Sequence, residues 1–251
     1  MLIEQTLDGL RKLKLTGMAQ ALEHQSINTV IHSLSFEDRI SMLVDAERLS
    51  RDNRRLKRFI KNARMKVGAS VEDIDYKSAR GLDKRQIASL ANCDWIDHGQ
   101  HLILTGPTGV GKTWLACALG HQAIRRGMPV IYYRFTRLLE ELEIARGDGS
   151  LPKLRTQLSK AKLLILDDWG LSTLNNRNRQ DLMEIVDDRT GGGSLAITSQ
   201  LPVPQWHDYI GDPTLADAIL DRMVHSAHRI ELQGDSLRKT RANKTQAFND
   251  G

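Results

Sequence analysis

The chain has 251 residues, 40% hydrophobic and 27% charged, with a formal net charge of +5, which suits one mid-sized globular domain plus a smaller appendage. No apolar run reaches the ~18 residues of a membrane span, and the opening MLIEQTLDGLRKLKL lacks the basic start and apolar run of a signal peptide. Two cysteines, Cys93 and Cys117, are too few for a disulfide framework or zinc site, so a cytoplasmic protein with no membrane partner is expected.

Residues 1–68 read as a small all-helical domain. Ile3, Leu7, Leu10, Met18, Ala21 and Leu22 recur near helical spacing. Ser35 followed by Asp38 resembles a capping box and opens a long helix striped by Met42, Leu43, Ala46, Leu49, Leu56, Phe59, Ile60 and Ala63. Residues 48–66, RLSRDNRRLKRFIKNARMK, hold nine basic side chains and one acidic, Asp52. Arg51, Arg55 and Arg58 fall on one helical face, with Arg54, Lys61 and Arg64 on adjacent stripes. Leu49, Leu56, Ile60 and Ala63 lie opposite. The expected helix docks its apolar side and presents a cationic one, which suits salt-sensitive, sequence-independent contact with DNA phosphates. A solvated charge run is the alternative.

Residues 69–100 read as a connector. Gly68, Ala69 and Ser70 interrupt the helical pattern, VEDIDY reads as extended chain, and LDKRQIASLANCDWI as one helix.

From residue 101 to 251 strands and helices alternate. HLILT, PVIYYR, KLLILDD, LAITSQ and HRIEL read as strands. Helices are expected through about Arg126, then at LLEELEIA, RNRQDLMEIVDDR and PTLADAILDRMVH, with GDGS breaking the chain before LPKLRTQLSK. Such alternation predicts a parallel sheet with helices on both faces.

Within it, Gly106, Pro107, Thr108, Gly109, Val110, Gly111, Lys112 and Thr113 match G-x-x-x-x-G-K-[ST] between a strand and a helix, as a phosphate-binding loop requires. Glycines let backbone N–H groups converge on phosphate oxygens at a helix N-terminus. Lys112 is expected to reach the β- and γ-phosphates of a nucleotide, and Thr113 to ligate Mg²⁺. KLLILDD ends a buried strand with Asp167, which would hold the magnesium, and Asp168, which would orient or deprotonate the attacking water. Two surface carboxylates at a strand end are the plainer reading. ITSQ ends the next strand. In ATPases of the AAA+ type, which this arrangement resembles, a polar residue there contacts the γ-phosphate or the water; that resemblance implies Ser199, with Thr198 and Gln200 able to substitute.

GPTGVGKTWLACALG, LLILDDWG, ITSQLP, ADAILDRMVHSAHRIEL and GDSLRK together resemble the IstB/DnaC group of AAA+ ATPases, most nearly the IstB helper ATPases of insertion sequences. The resemblance implies an α/β P-loop NTPase core. It places Arg222 as an arginine finger reaching a neighbouring subunit's γ-phosphate, and Arg238 at the second-sensor position. A helix salt bridge to Asp221 or Asp217 is the competing role for Arg222. The 19 residues after Leu232 are too few for the family's C-terminal helical lid, so no lid is expected. The implied function is a transposition helper. ATP would assemble a homo-oligomer on double-stranded DNA, which remodels target DNA and recruits an IstA-like transposase, and hydrolysis would disassemble it. A DnaC-like helicase loader and a small-molecule phosphotransferase are the rivals. Arg134, Arg137, Arg146, Lys153, Arg155 and Lys160, flanking GDGS, are further candidates for DNA contact.

Overall fold

The computed structural model describes residues 2–76 and 80–237. The chain divides between Arg58 and Phe59 into two compact units.

The first unit holds α1 (Leu2–Lys12), α2 (Thr16–Ile27) and most of α3 (Phe36–Ala63). Ser35 opens α3 by accepting the Asp38 N–H at 3.1 Å. Its hydroxyl donates to the Asp38 carboxylate at 2.7 Å, so the cap is reciprocal through side chains. Gly17 lets α2 press onto α3: a Cβ there would stand 2.5 Å from the Ala46 carbonyl. Beside it Glu47, 5% exposed, accepts the Gly17 and Met18 N–H groups at 2.8 and 3.2 Å. A carboxylate from α3 thus satisfies donors that the first turn of α2 leaves over. The expected apolar stripe is only partly covered: Leu43 is buried, but Leu49 is 63% and Ile60 48% exposed.

In the connector the expected single helix is two, α4 (Lys84–Ala91) and α5 (Asp94–Asp97). The break is Cys93, at φ 62°, a left-handed conformation that stops an α-helix. Asp83 caps α4 by accepting the Arg85 N–H. VEDIDY, expected to be extended, begins with a 3₁₀ turn at Val71–Asp73.

The remaining elements are β1 (His101–Thr105), α6 (Lys112–Arg125), β2 (Val130–Arg134), α7 (Phe135–Gly147), α8 (Leu151–Ser159), β3 (Leu163–Trp169), α9 (Asn176–Asp187), β4 (Ser194–Ser199), α10 (Trp206–Ile210), α11 (Pro213–Val224) and β5 (Ala227–Glu231). All described strand pairs are parallel, in the order β2-β3-β4-β1-β5. Side chains alternate between the two faces. Ile103, Leu164, Leu166, Leu195 and Ile197 join one core with residues of α7, α9, α10 and α11. Ile165, on the other alternation, meets α6 at Gly120, where an added Cβ would lie 2.8 Å from its Cδ1. β1 sits between β4 and β5, which puts the loop after β1 at the carboxyl edge of the sheet, where ligands of open α/β folds bind.

β3 runs three residues past its apolar run Leu163–Leu166. Its pairing with β4 slips between Leu166 and Trp169, and Asp168 adopts φ 64°, a bulge that re-aims one side chain. Trp169, fully buried, pins the bulge. Its ring lies 4.6 Å from Phe135, 5.2 Å from Trp206 and 5.4 Å from Tyr209. Trp206 and Tyr209 belong to α10, a five-residue helix absent from the sequence reading.

Candidate nucleotide site

The loop from Gly106 to Gly111 links β1 to α6. Gly106 holds φ 136° and packs so closely on the segment after β5 that a side chain would collide with the Leu232 carbonyl. Gly111, at φ 104°, is the N-cap of α6, a conformation that glycine adopts without penalty. Pro107 and Thr108 are exposed at the crest, and Val110 is buried. Lys112, 8% exposed, curls over the loop and donates to the carbonyls of Gly106 at 2.6 Å and Pro107 at 2.8 Å. Burial lowers the pKa of its ammonium, opposed by Asp168 and Asp167.

Asp167 is the hub of the site and wholly buried. Its Oδ1 accepts from Thr113 Oγ1 and from Thr198 Oγ1, each at 2.6 Å. Its Oδ2 accepts from Tyr132 Oη at 2.5 Å and pairs with Lys66 Nζ at 3.4 Å. Burial alone would raise the carboxyl, but the hydroxyl donors and Lys66 outweigh it and hold the pKa below the usual carboxylate range. The same burial, with the adjacent carboxylate, pushes the Tyr132 phenol up. Thr113 and Asp167 therefore present hard oxygen donors side by side at the loop. That donor set fits Mg²⁺, which binds few protein oxygens and takes the rest from water and phosphate.

Asp168 diverges from its neighbour. It is 31% exposed, with Arg134 Nε 3.8 Å from its Oδ2, and its backbone N–H donates to Thr198 Oγ1 at 3.1 Å. The bulge thus turns one carboxylate into the buried hub and leaves the second open. Ser199, chosen from the sequence, does not join the hub. Its hydroxyl donates to the Trp169 carbonyl and accepts the Leu201 N–H, both at 2.9 Å. The physical reason is strand alternation: successive side chains on β4 point to opposite faces of the sheet, and Thr198 is the one that meets Asp167.

Tyr132 and Lys66 were missed. Tyr132 is found only once β2 is known to lie beside β3, and Lys66 lies beyond the end of α3, within the basic run.

Arg222 on α11 lies apart from the hub. Its Nη1 donates to the Ala218 carbonyl at 2.9 Å, and its Nε pairs with Asp187 of α9 at 3.2 Å. The weighed partners Asp221 and Asp217 do not take it: Asp217 instead meets His207 at 3.4 Å. Arg238 lies outside the described residues.

The basic residues separate into two groups. Arg51 and Arg54 reach Glu47 Oε1 at 2.7 and 3.3 Å, and Arg51 foremost holds that carboxyl below the usual range. Both guanidinium groups thus serve the α2–α3 junction. Arg55 and Arg58 are exposed on the same helix. Arg64, past the end of α3, bonds Tyr133 Oη at 3.0 Å and Glu141 at 3.2 Å. Arg137 pairs with Glu140 at 3.0 Å, Arg146 with Asp181 and Arg155 with Glu184. Lys61, Arg64, Lys153 and Lys160 line one cleft of about 910 Å³ beside β2, and no carboxylate among the described residues lines it.

The model of the IstB-like ATP binding protein family matches residues 8–247. The chain is 48% identical to a protein named as an insertion-sequence ATP-binding protein in Sinorhizobium fredii, over 98% of this chain and 100% of that one. It is 52% identical to one named for insertion sequence IS1162 in Pseudomonas fluorescens, over 80% of this chain and 88% of that one. The crystal structure of the DnaC helicase loader superposes with a TM-score of 0.56 at 18% identity, covering 66% of this chain and 97% of that one. Likeness at that identity concerns the fold alone, a parallel sheet flanked by helices. No helix among the described residues is long and apolar enough to cross a membrane.

Proposed function

The chain belongs to the IstB-like ATP-binding protein family, and from that premise we propose that it is an ATPase that helps DNA transposition by assembling on duplex DNA. The carrying observation is the Thr113–Asp167–Thr198 hub beside the phosphate-binding loop. A triphosphate fits there with Lys112 leaving the loop carbonyls for the β- and γ-phosphates, and with loop N–H groups and the start of α6 facing the charge. Thr113 and Asp167 would hold a Mg²⁺ ion. Bound Mg²⁺ supplies neutralising charge to the phosphate oxygens.

Asp168, open to solvent on its bulge, orients the attacking water and accepts its proton, while Thr198 keeps Asp167 and the Asp168 backbone in register. Arg222 completes the site of a neighbouring subunit. Its partially exposed guanidinium is held by a carboxylate that is itself 61% exposed, so exchanging Asp187 for a phosphate costs little. ATP binding then couples to oligomerisation. The cleft lined by Lys61, Arg64, Lys153 and Lys160 suits the DNA backbone, and in the first unit the exposed side chains of Arg55 and Arg58 suit it separately. In the full reading the assembly remodels target DNA and recruits a transposase of the IstA type, and hydrolysis releases it.

Sedimentation with and without ATP and duplex DNA tests this, on wild type, Lys112→Ala and Arg222→Ala. Large assemblies are expected only from wild type with both ligands. A wild-type protein that stays monomeric when saturated with both overturns the reading. Affinity capture by a replicative helicase rather than a transposase would move the protein to the loader class, whose fold it shares.

A further inference from the structure

The wall of the loop opposite Asp167 contains a buried cation with unused hydrogen-bonding capacity. Arg80 is 7% exposed. One terminal nitrogen donates to the Asp75 carbonyl, and its Nε finds no partner among the described residues. No carboxylate pairs with it among the described ion pairs. A buried guanidinium without a counter-charge is unfavourable and marks a place where an acceptor belongs.

The position of that guanidinium is well defined. Its Nη1 stands 3.2 Å from where a Cβ on Gly111 would be, next to the N-cap of α6. Its backbone is tied to the segment after β5, with the Arg80 carbonyl accepting the Gln233 N–H at 3.1 Å. That segment is itself fixed to the loop: Leu232 N–H donates to Thr105 at 2.8 Å and Leu237 N–H to Gly109 at 3.1 Å.

Sheet order then says which part of a nucleotide meets Arg80. The metal-side residues Asp167 and Thr198 come from β3 and β4, on one side of β1, and β5 lies on the other. A triphosphate whose terminal end sits by Thr113 and Asp167 must send its nucleoside towards β5. We propose that Arg80 is a nucleotide-binding residue that donates to acceptors of the nucleoside, on the base edge and the ribose. This rests only on the ATP-binding part of the reading above, not on DNA, oligomers or hydrolysis. Arginine suits the task because its planar fork makes several directed bonds at once, which a lysine point charge does not.

The test is equilibrium binding of ADP, ATP and inorganic tripolyphosphate to the full chain without DNA, for wild type, Arg80→Met and Arg80→Lys, with thermal melts alongside. Arg80→Met should weaken ADP and ATP alike by about tenfold and leave tripolyphosphate within about twofold, and Arg80→Lys should recover only part of the loss. The proposal is overturned if Arg80→Met binds ADP as wild type does. It is equally overturned if tripolyphosphate binding falls in step with ADP, or if Arg80→Lys restores both binding and melting temperature, since either result makes Arg80 a clamp on Asp75 and the loop. A wild type that binds none of the three ligands removes the nucleotide reading itself.

Discussion

Thr198, and not its neighbour Ser199, donates to Asp167 Oδ1 at 2.6 Å while accepting the Asp168 N–H at 3.1 Å. One hydroxyl therefore holds the buried carboxylate and fixes the backbone that presents the open one. Thr198→Val keeps the shape and removes both bonds, so turnover should fall at least about tenfold, as expected for a lost buried hydrogen bond to a charged group. Ser199→Ala should change turnover less than about threefold and act mainly on melting temperature. Steady-state ATPase assays of the two variants decide this, and a larger loss from Ser199→Ala would restore the sequence-based choice.

This contrast shows what was legible beforehand. Short continuous apolar runs such as LLIL, bounded by breaks and alternating with helical stretches, read as buried strands, so the sheet and the loop follow from local pattern. Strand order and the face of each side chain are non-local. They put Thr198 rather than Ser199 on Asp167, bring Tyr132 to the same carboxylate, and carry Arg80 to Gly111. The helix at Trp206–Ile210 is too short to show a period, and nothing in the side chain of Cys93 announces its left-handed backbone. Charge counting over residues 48–66 could not see that Glu47, one residue earlier, occupies Arg51 and Arg54.

Lys66 sits 3.4 Å from Asp167 Oδ2 and is 28% exposed. It is a cation beside a position suited to a divalent one. Lys66→Met should raise the affinity of the nucleotide complex for Mg²⁺ by about tenfold, because repulsion between like charges at this range, even at a high effective dielectric, exceeds 1 kcal/mol. Metal titration monitored by a fluorescent ADP analogue measures it. Unchanged or weakened metal affinity would mean that Lys66 chiefly braces Asp167.

The Arg222–Asp187 pair, at 3.2 Å with 33% and 61% exposure, should add no more than about 1 kcal/mol to folding. Asp187→Asn should therefore leave ATP-dependent assembly intact, whereas Arg222→Ala abolishes it with little change in melting temperature. Equal loss of assembly and of stability in both variants would make the pair a structural strut and end the case for a role across subunits.

His101, at the start of β1 and 4% exposed, accepts the Leu195 N–H on Nδ1 at 3.2 Å. Burial, followed by the charge of Arg189, depresses its pKa below the ordinary 6.5. The unfolded chain then binds the proton more readily. The stability that neutral His101 contributes is present above pH 6.5 and is lost as pH falls through the folded value. Urea unfolding across pH 7 to 5 should show a steeper decline in wild type than in His101→Asn, whose amide oxygen can take over the Leu195 bond. Parallel slopes would remove His101 from the pH response.

Arg189 is 2% exposed and spends its guanidinium on backbone alone. It donates to the carbonyls of Leu158, Ala161, Lys162 and Ser194. It thereby joins the end of α8 to the entry of β4. Gly193 must lack a side chain here because a Cβ would lie 2.8 Å from Arg189 Nη2. Burial lowers its pKa to about 10, so it remains charged at neutral pH. Arg189→Met leaves several buried carbonyls without donors and should cost about 3 kcal/mol or more, a melting-temperature loss of roughly 10 °C for a unit of this size. Arg189→Lys should recover less than half, since one ammonium cannot span carbonyls spread around a planar fork. Calorimetry on both variants measures the difference. A lysine variant as stable as wild type would show that charge, rather than directed bonding, closes this corner of the sheet.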